Sequence, residues 1–176
     1  MLRFLILPLA LIGSTAAAEV FASDDRGFVS RHEVPVAAAP DAVWAALMRP
    51  ELYWNGDHSW SGNAANFTLS PRAGGCFCEL LPGEGGSGSV EHARVVMAQP
   101  GRRLVLRGAF GPLQSEAVVG TLVVELAQDD GGGTRMRWTY TVGGYAAYPM
   151  EALSGPVDAV IGEQAARLAA RFEQDA

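Results

Sequence analysis

Lysine is absent from this sequence, and all 13 basic residues are arginine. Schiff-base chemistry through a side-chain amine and the lysine of a P-loop are therefore excluded. Gly-x-Ser-x-Gly and HExxH motifs are missing as well, and the glycine-rich run at 83–88 lies in a predicted hairpin turn rather than before a helix. The sequence thus gives no sign of a serine hydrolase, a zinc protease or a dinucleotide-binding enzyme.

Positive charge is also scarce, because 19 acidic residues stand against 13 basic ones and the formal net charge is −6. The arginines form no basic block, so neither nucleic acid nor an anionic membrane surface is expected as a main partner. Long apolar runs are missing too, since no segment after the first residues reaches the ~20 apolar residues that a membrane span needs.

The N-terminus has the three parts of a secretory signal peptide. Arg3 supplies a positive charge, residues 4–12 are apolar, and residues 14–18 are small, with alanine at 16 and 18. We predict cleavage after Ala18, with a retained anchor or a short buried helix as the alternative. The protein would then be periplasmic or secreted without stable membrane insertion, and the mature chain, 19–176, would form a single domain.

Periodicity in the mature chain predicts mostly strands, followed by one long helix. Alternating apolar residues and turn signals predict strands at 28–37, 66–70, 76–81, 88–98, 103–109, 117–127 and 134–142. Two short helices are predicted at 40–48 and 51–54, because Pro40 favours a helix start and Pro50 ends the first helix. The last helix carries an apolar stripe at helical spacing, formed by Val157, Ile161, Ala165, Leu168 and Phe172.

Six short motifs follow one another along this pattern. They are APDAVW at 39–44, Leu52 with Trp54, PRAGG at 71–75, GSV at 88–90, PGRRL at 100–104 and GTRM at 133–136. Together they resemble the SRPBCC (START/Bet v 1-like) superfamily, and most closely its Hsp90 ATPase activator and polyketide cyclase branch. This resemblance implies an α+β helix-grip fold, in which a curved antiparallel sheet of about seven strands wraps around a long C-terminal helix. Two short helices follow the first strand, and an apolar cavity lies between the sheet and the long helix.

The inward side of each strand would line that cavity. Alternation assigns this side if charged residues such as Glu79, Arg94 and Arg107 face water. The ligand-binding residues predicted in this way, with two from the last helix, are His32, Val34, Phe67, Cys76, Cys78, Glu91, Leu106, Leu122, Trp138, Tyr140, Ile161 and Leu168. A mostly apolar wall with a few polar groups is typical of a small-molecule pocket.

Three of the polar wall residues are candidate catalytic groups. Glu91 or His32 would act as the base and Tyr140 as the hydrogen-bond donor, although each also fits an ordinary place in a cavity wall. His58, beside Asp57 in a glycine-rich loop at 55–65, is more typical of a solvated loop.

Cys76 and Cys78 lie two residues apart, so on a regular strand their side chains point the same way. Their Cα atoms would be about 6.6 Å apart, at the upper limit of disulfide geometry. Small apolar fillers are the ordinary interpretation of these cysteines, and a metal site completed by His32 or Glu91 is the alternative. We expect neither a metal nor a cofactor.

These features predict an exported protein that binds a small hydrophobic or amphipathic molecule in the cavity between the sheet and the C-terminal helix. Opening of the loops at 55–65 and 143–150 would admit the ligand. Two alternatives stay open, because fold alone does not decide function. One is a cyclase/dehydratase-type enzyme with acid/base groups in the cavity. The other is a protein-interaction module of the Hsp90-activator type, against which export argues because that chaperone is cytosolic.

Overall fold

The computed structural model describes residues 20–173, which form one antiparallel sheet and two α-helices. The eight strands are β1 (Val20–Asp24), β2 (Gly27–Val36), β3 (Phe67–Leu69), β4 (Cys76–Leu81), β5 (Gly88–Gln99), β6 (Arg103–Arg107), β7 (Ala117–Gln128) and β8 (Thr134–Tyr145). The α-helices are α1 (Pro40–Leu47) and α2 (Met150–Ala170), and short 3₁₀ helices occupy Pro50–Leu52, Gly56–His58, Ala64–Asn66 and Gly111–Ser115. The predicted α+β helix-grip fold is confirmed.

The sheet has one strand more than the sequence predicts. Its spatial order is β1-β2-β8-β7-β6-β5-β4-β3, and the added strand is β1, at one edge. β1 forms a tight hairpin with β2, in which the backbone amide of Arg26 donates to Asp24 Oδ1 at 2.9 Å. The guanidinium of Arg31 stacks on the ring of Phe21 at 3.8 Å. β1 escapes prediction because its sequence, VFASD, lacks a clear apolar alternation.

A second difference concerns the end of β8. The sequence predicts a break at Gly143-Gly144, but β8 continues to Tyr145, which pairs with Ala117 on β7. Glycine weakens a strand without forbidding one, and here β7 supplies a partner along the whole length. The connection to α2 is therefore shorter than predicted and covers residues 146–149.

The two predicted short helices follow β2. α1 begins at Pro40 because the first turn of a helix has no use for the missing amide hydrogen, and Asp41 in that turn complements the helix dipole. Val43 and Leu47 bury the apolar side of α1. Where the second short helix is predicted at 51–54, the structure has a 3₁₀ helix at Pro50–Leu52.

α2 packs mainly against β2, with further contacts to β1 and β8. Three residues of the predicted stripe are buried on the inner side of this helix: Ile161, Ala165 and Leu168. Pro156 lies inside the helix and removes one backbone hydrogen bond from its first half. Among residues 20–173, no helix combines the length and the apolar character needed to cross a membrane. The predicted signal peptide, 1–18, lies outside the described residues.

Candidate functional site

A cavity of about 390 Å³ lies between the first half of α2 and the sheet. Its other walls are the segment from Trp54 to Trp60, the 3₁₀ helix at Gly111–Ser115, and one residue of β5, His92. Most of the lining is apolar and includes Trp54, Phe110, Leu153, Val157, Val160 and Ile161. The polar lining consists of Asp57, His58, Ser59 and His92. This volume and composition are typical of a site for one small molecule.

Most of the predicted ligand-binding residues lie elsewhere. Ile161 lines the cavity. Leu106, Leu122 and Trp138 surround a separate void of about 10 Å³, so they pack against protein. Phe67, Tyr140 and Leu168 are buried in the core, and Val34 is half-buried on β2. The structure therefore places most of the predicted wall in close-packed core.

The face predicted for β4 is wrong. Glu79, taken to face water, is only 1% exposed, and Phe77 points inward with it. Cys76 and Cys78 consequently lie on the outer face, where Leu80 is 48% exposed. A charged residue does not have to face water when other groups form hydrogen bonds with it. The Glu79 carboxylate has such partners inside the protein. Because side chains alternate along a strand, this one misassignment inverted all of β4.

The faces predicted for β5 are partly wrong, because the strand contains a bulge. Phe77 pairs with Ala93 and Cys78 pairs with Glu91, which leaves His92 as an extra residue in β5. His92 and Ala93 are therefore both buried, although they are neighbours. Glu91, a predicted base and ligand contact, points outward and forms an ion pair with Arg94. With Arg94 outward, alternation also predicts inward positions for Ser89, Val95 and Met97, but only Val95 faces inward, and Ser89 and Met97 are exposed.

His92 and Glu79 form a buried pair at the cavity wall, which the sequence analysis missed. His92 Nε2 lies 2.8 Å from Glu79 Oε2, and the two side chains are 5% and 0% exposed. The carboxylate also accepts hydrogen bonds from the backbone amides of Trp60, at 3.1 Å, and Ser61, at 2.6 Å. The imidazole ring packs against Phe67 and Phe77, with centroids 5.1 and 5.5 Å apart. The one sequence signal was an acidic residue inside the apolar run CFCELL.

The electrostatics of this pair determine its protonation. Burial raises the pKa of Glu79, but the hydrogen bonds from Ser61, Trp60 and His92 outweigh it and hold the pKa below its ordinary value. Burial lowers the pKa of His92, and the opposing effect of the Glu79 carboxylate is smaller. At neutral pH Glu79 is therefore charged and His92 is neutral. Because a carboxylate only accepts hydrogen bonds, the hydrogen of His92 lies on Nε2 and the lone pair on Nδ1.

His32 belongs to a different cluster, under α2. Its Nε2 lies 2.9 Å from Asp158 Oδ1, and the Ser30 hydroxyl donates to the same oxygen at 2.6 Å. All three side chains are buried, and the ring lies directly below Gly162. The predicted inward direction of His32 is correct. However, its ring contacts β2 and α2 rather than the cavity. The hydrogen bond to Asp158 links β2 to α2, which is a structural role.

Tyr140 is also committed to the backbone. Its hydroxyl donates to the carbonyl of Gly108 at 3.2 Å and accepts from the amide of Phe110 at 3.3 Å. Burial raises the pKa of Tyr140 well above its ordinary value, so the phenol stays protonated. The three predicted catalytic residues, His32, Glu91 and Tyr140, are not brought together by the structure.

The segment at 54–61 forms one side of the cavity and is held at several points. The side chain of Asn55 donates to Glu163 at 2.7 Å, and His58 Nε2 lies 2.9 Å from the same carboxylate. Further along, the indole of Trp60 donates to Gln114 Oε1, in the 3₁₀ helix at Gly111–Ser115, at 2.6 Å. His58 is thus a bonded cavity residue rather than part of a free loop.

Cys76 and Cys78 are joined by a disulfide, with Cα atoms 5.4 Å apart. In a disulfide the two sulfur atoms are not available as thiolates, which the alternative metal site with Cys76 and Cys78 would require. Within residues 20–173, no group of three or more histidine, cysteine, aspartate or glutamate side chains is arranged to hold a metal ion. The disulfide lies on the outer face of β4, on the side of the sheet away from the cavity.

Known structures share this architecture at low sequence identity. A protein from Rhodobacter sphaeroides is 18% identical, with a TM-score of 0.54 over 90% of this chain and 99% of that one. The protein Mll3558 from Rhizobium loti is 22% identical, with a TM-score of 0.53 over 79% and 95%. The protein Ms6760 from Mycobacterium smegmatis is 19% identical, with a TM-score of 0.53 over 90% and 96%. At these identities the similarity establishes the fold alone.

Comparison with curated proteins finds no match. A family model, described as polyketide cyclase / dehydrase and lipid transport, matches residues 28–173, from the start of β2 to the end of the described chain. The match covers most of the chain and agrees with the predicted resemblance. The chain therefore belongs to the polyketide cyclase / dehydrase and lipid transport family.

Proposed function

We propose that the chain binds one small apolar or amphipathic molecule in the cavity between α2 and the sheet. The observation that carries this proposal is the cavity of about 390 Å³, which is within the size range of ligand pockets and has the apolar lining typical of them. An open cavity also favours ligand binding over the Hsp90-activator type of interaction module, for which we would expect side chains to fill this space.

Burial of apolar ligand surface would drive binding, at roughly 25 cal/mol per Å² before the costs of association. The aromatic rings of Trp54 and Phe110 offer flat surfaces for such a ligand. Because Asn55, His58 and Trp60 tie the 54–61 segment to its neighbours, we propose that access depends mainly on movement at 146–149 and in the first turns of α2. Pro156 weakens the hydrogen bonding of those turns.

We also propose that the chain is exported, as residues 1–18 predict. A disulfide between Cys76 and Cys78 supports this proposal, because such bonds persist in oxidising compartments and are rare in the cytosol. Cell fractionation followed by mass spectrometry of the intact protein tests it. We expect a periplasmic or secreted chain that begins at Glu19, and an uncleaved chain in the cytosol would contradict the proposal.

The ligand-binding proposal is tested by native mass spectrometry of protein purified without denaturation, with mass identification of any released molecule. Val157→Trp should fill the cavity and remove the bound species, because Val157 lines it. Ala159→Trp, on the exposed side of the same helix, is the matched control and should keep it. Equal occupancy in the two variants would place the bound molecule outside this cavity.

A second candidate function is acid/base catalysis of the cyclase or dehydratase type, which the His92–Glu79 pair favours. A neutral imidazole whose Nε2 is held by a carboxylate is a common arrangement for a general base. The test is to incubate the identified ligand with the protein and follow its mass and ultraviolet spectrum. Conversion by the wild type that is lost in His92→Phe, at a ligand concentration that saturates the variant, would support catalysis. An unchanged ligand would leave binding as the function.

A further inference from the structure

The cavity wall contains a hydrogen-bond acceptor without a partner. Nε2 of His92 is engaged by Glu79, and Nδ1, which carries the lone pair, has no hydrogen-bond partner among residues 20–173. Among residues 20–173, two side-chain nitrogen atoms are fully buried and have no hydrogen-bond partner, Arg103 Nε and Trp138 Nε1. Nδ1 of His92 is not one of them, so it retains access to the space beside its ring, which is the cavity.

This acceptor is fixed in place. The ring packs against Phe67 and Phe77, and Nε2 is bound by a carboxylate that two backbone amides also bind. The imidazole therefore keeps the tautomer with its hydrogen on Nε2. The other neutral tautomer would offer a donor at Nδ1, but it would set the lone pair of Nε2 against the Glu79 carboxylate. Glu79 acts as the positioning residue, and His92 as the group that faces a ligand.

The charges around the cavity disfavour an anion. Among residues 20–173 no arginine lines it, whereas the acidic residue Asp57 does. Glu79 lies behind His92, and Glu163 lies behind His58. A ligand carboxylate placed at Nδ1 would meet a lone pair and negative charge, with no positive partner to offset its desolvation. A neutral hydroxyl group would instead donate its hydrogen to Nδ1 and satisfy both groups.

We propose that the cavity selects an apolar molecule bearing a neutral hydroxyl group, which donates to Nδ1 of His92, over the same skeleton bearing an ether or a carboxylate. The inference rests on the proposed ligand-binding function and adds the chemical class of the ligand. His58 is a weaker candidate for this role, because its side chain is 34% exposed and water competes for its free nitrogen.

Isothermal titration calorimetry with three naphthalenes at neutral pH tests the proposal. The probes are 2-naphthol, 2-methoxynaphthalene and 2-naphthoate, which share one apolar skeleton and differ in the group offered to His92. We expect 2-naphthol to bind about tenfold more tightly than 2-methoxynaphthalene, although the ether is more apolar, because only the phenol makes the hydrogen bond. We expect 2-naphthoate to be the weakest of the three.

Two variants assign the preference to His92. In His92→Phe the ratio of 2-naphthol to 2-methoxynaphthalene affinity should fall to about one, because the acceptor of the hydroxyl group is gone. Glu91→Gln changes the adjacent residue, which points away from the cavity, and should keep the wild-type ratio. If His92→Phe fails to fold, His58→Gln assigns the acceptor instead: the preference should persist in this variant, and its loss there would make His58 the acceptor and overturn the proposal.

The outcomes separate the inference from the function on which it rests. Equal binding of the phenol and the ether, or tighter binding of the carboxylate, would overturn the inference and leave a binding cavity. A preference that persists in folded His92→Phe would also overturn it, because another group would then be the acceptor. Absence of binding by all three probes would count against the ligand-binding function as well.

Discussion

Within residues 20–173, two buried histidine–carboxylate pairs have nearly the same geometry and different surroundings. His32 and Asp158 are 2.9 Å apart, and His92 and Glu79 are 2.8 Å apart. In the first pair the imidazole lies between β2 and α2 and touches a second polar partner, Ser30. In the second pair the imidazole forms part of a cavity wall.

The difference between the pairs lies in what faces the second nitrogen, Nδ1, of each histidine. His32 forms its hydrogen bonds to Asp158 and Ser30 through Nε2, and α2 covers Nδ1, because a Cβ on residue 162 would lie 2.8 Å from it. His92 uses one nitrogen for Glu79 and presents the other to open space. If the proposed function is correct, similar chemistry serves cohesion at one place and recognition at the other, and variants should separate the two roles.

The largest expected effect comes from breaking the pair under α2. Asp158→Ala leaves His32 and Ser30 buried without their acceptor, and we expect it to lower the free energy of unfolding by about 3–5 kcal/mol. Urea denaturation followed by circular dichroism measures the loss. Glu91→Ala, which breaks an exposed pair, is the control and should change stability by less than about 1 kcal/mol. A similar loss in both would contradict the structural role of Asp158.

The next effect tests how closely α2 covers His32. A Cβ on residue 162 would lie 2.5 Å from His32 Cε1, whereas a Cβ on residue 155 of the same helix would have no neighbour within 4 Å. We expect Gly162→Ala to cost about 1–3 kcal/mol. Gly155→Ala should cost less than Gly162→Ala, because the better helix propensity of alanine offsets its restriction before Pro156. The urea midpoints of the two variants, measured side by side, check this difference.

The fold could be predicted from the sequence because its signals are repeated along the chain. Each strand has its own alternation of apolar residues, and each turn has its own glycine or proline. One weak signal therefore does not change the predicted fold. Only β1 and the last residues of β8 were missed, and both depend on pairing with a neighbouring strand. The family motifs added the helix-grip arrangement, which covers residues 28–173.

The candidate site could not be predicted in the same way, because it depends on single residues. Treating Glu79 as solvent-facing inverted β4, and the bulge at His92 shifted β5 by one residue. Glu91 was therefore chosen in place of its neighbour His92. A bulge leaves no mark in the alternation of one strand, and a buried carboxylate is predictable only when its partners, here Trp60, Ser61 and His92, are known.

A smaller effect is expected on the outer face of the sheet. Replacing both Cys76 and Cys78 by serine opens a very short loop, for which chain entropy predicts a loss of about 1–2 kcal/mol. Because the disulfide lies on the face away from the cavity, the probe affinities should not change. Calorimetry of the double variant with 2-naphthol checks this, and a weaker affinity would mean that β4 transmits the change to His92.

The smallest expected effect is a change in the stability of the protein with pH, to which the His92–Glu79 pair contributes. The pKa of His92 is lowered from 6.5 by burial, so the unfolded chain takes up a proton before the folded one does. The stability from neutral His92 is present above pH 6.5 and is lost as the pH falls below this value, by at most about 1.4 kcal/mol per pH unit. Glu79, whose pKa is also lowered, adds a loss in the same direction below its ordinary value of 4.5.

The charged and titratable groups that surround His92 are Glu79 on β4, Asp57 and His58 in the 3₁₀ segment, and Glu163 on α2 behind His58. Comparing the urea midpoints of wild type, His92→Phe and His58→Gln between pH 7 and pH 5 isolates His92 from these groups. His92→Phe alone should flatten the decline that begins near pH 6.5. The hydroxyl preference of the wild type should persist where this decline begins and disappear only at lower pH, because the pKa of His92 in the folded protein lies below 6.5 and Nδ1 becomes a donor only once that form is protonated. A decline that persists in His92→Phe and vanishes in His58→Gln would assign the titration to the exposed histidine instead.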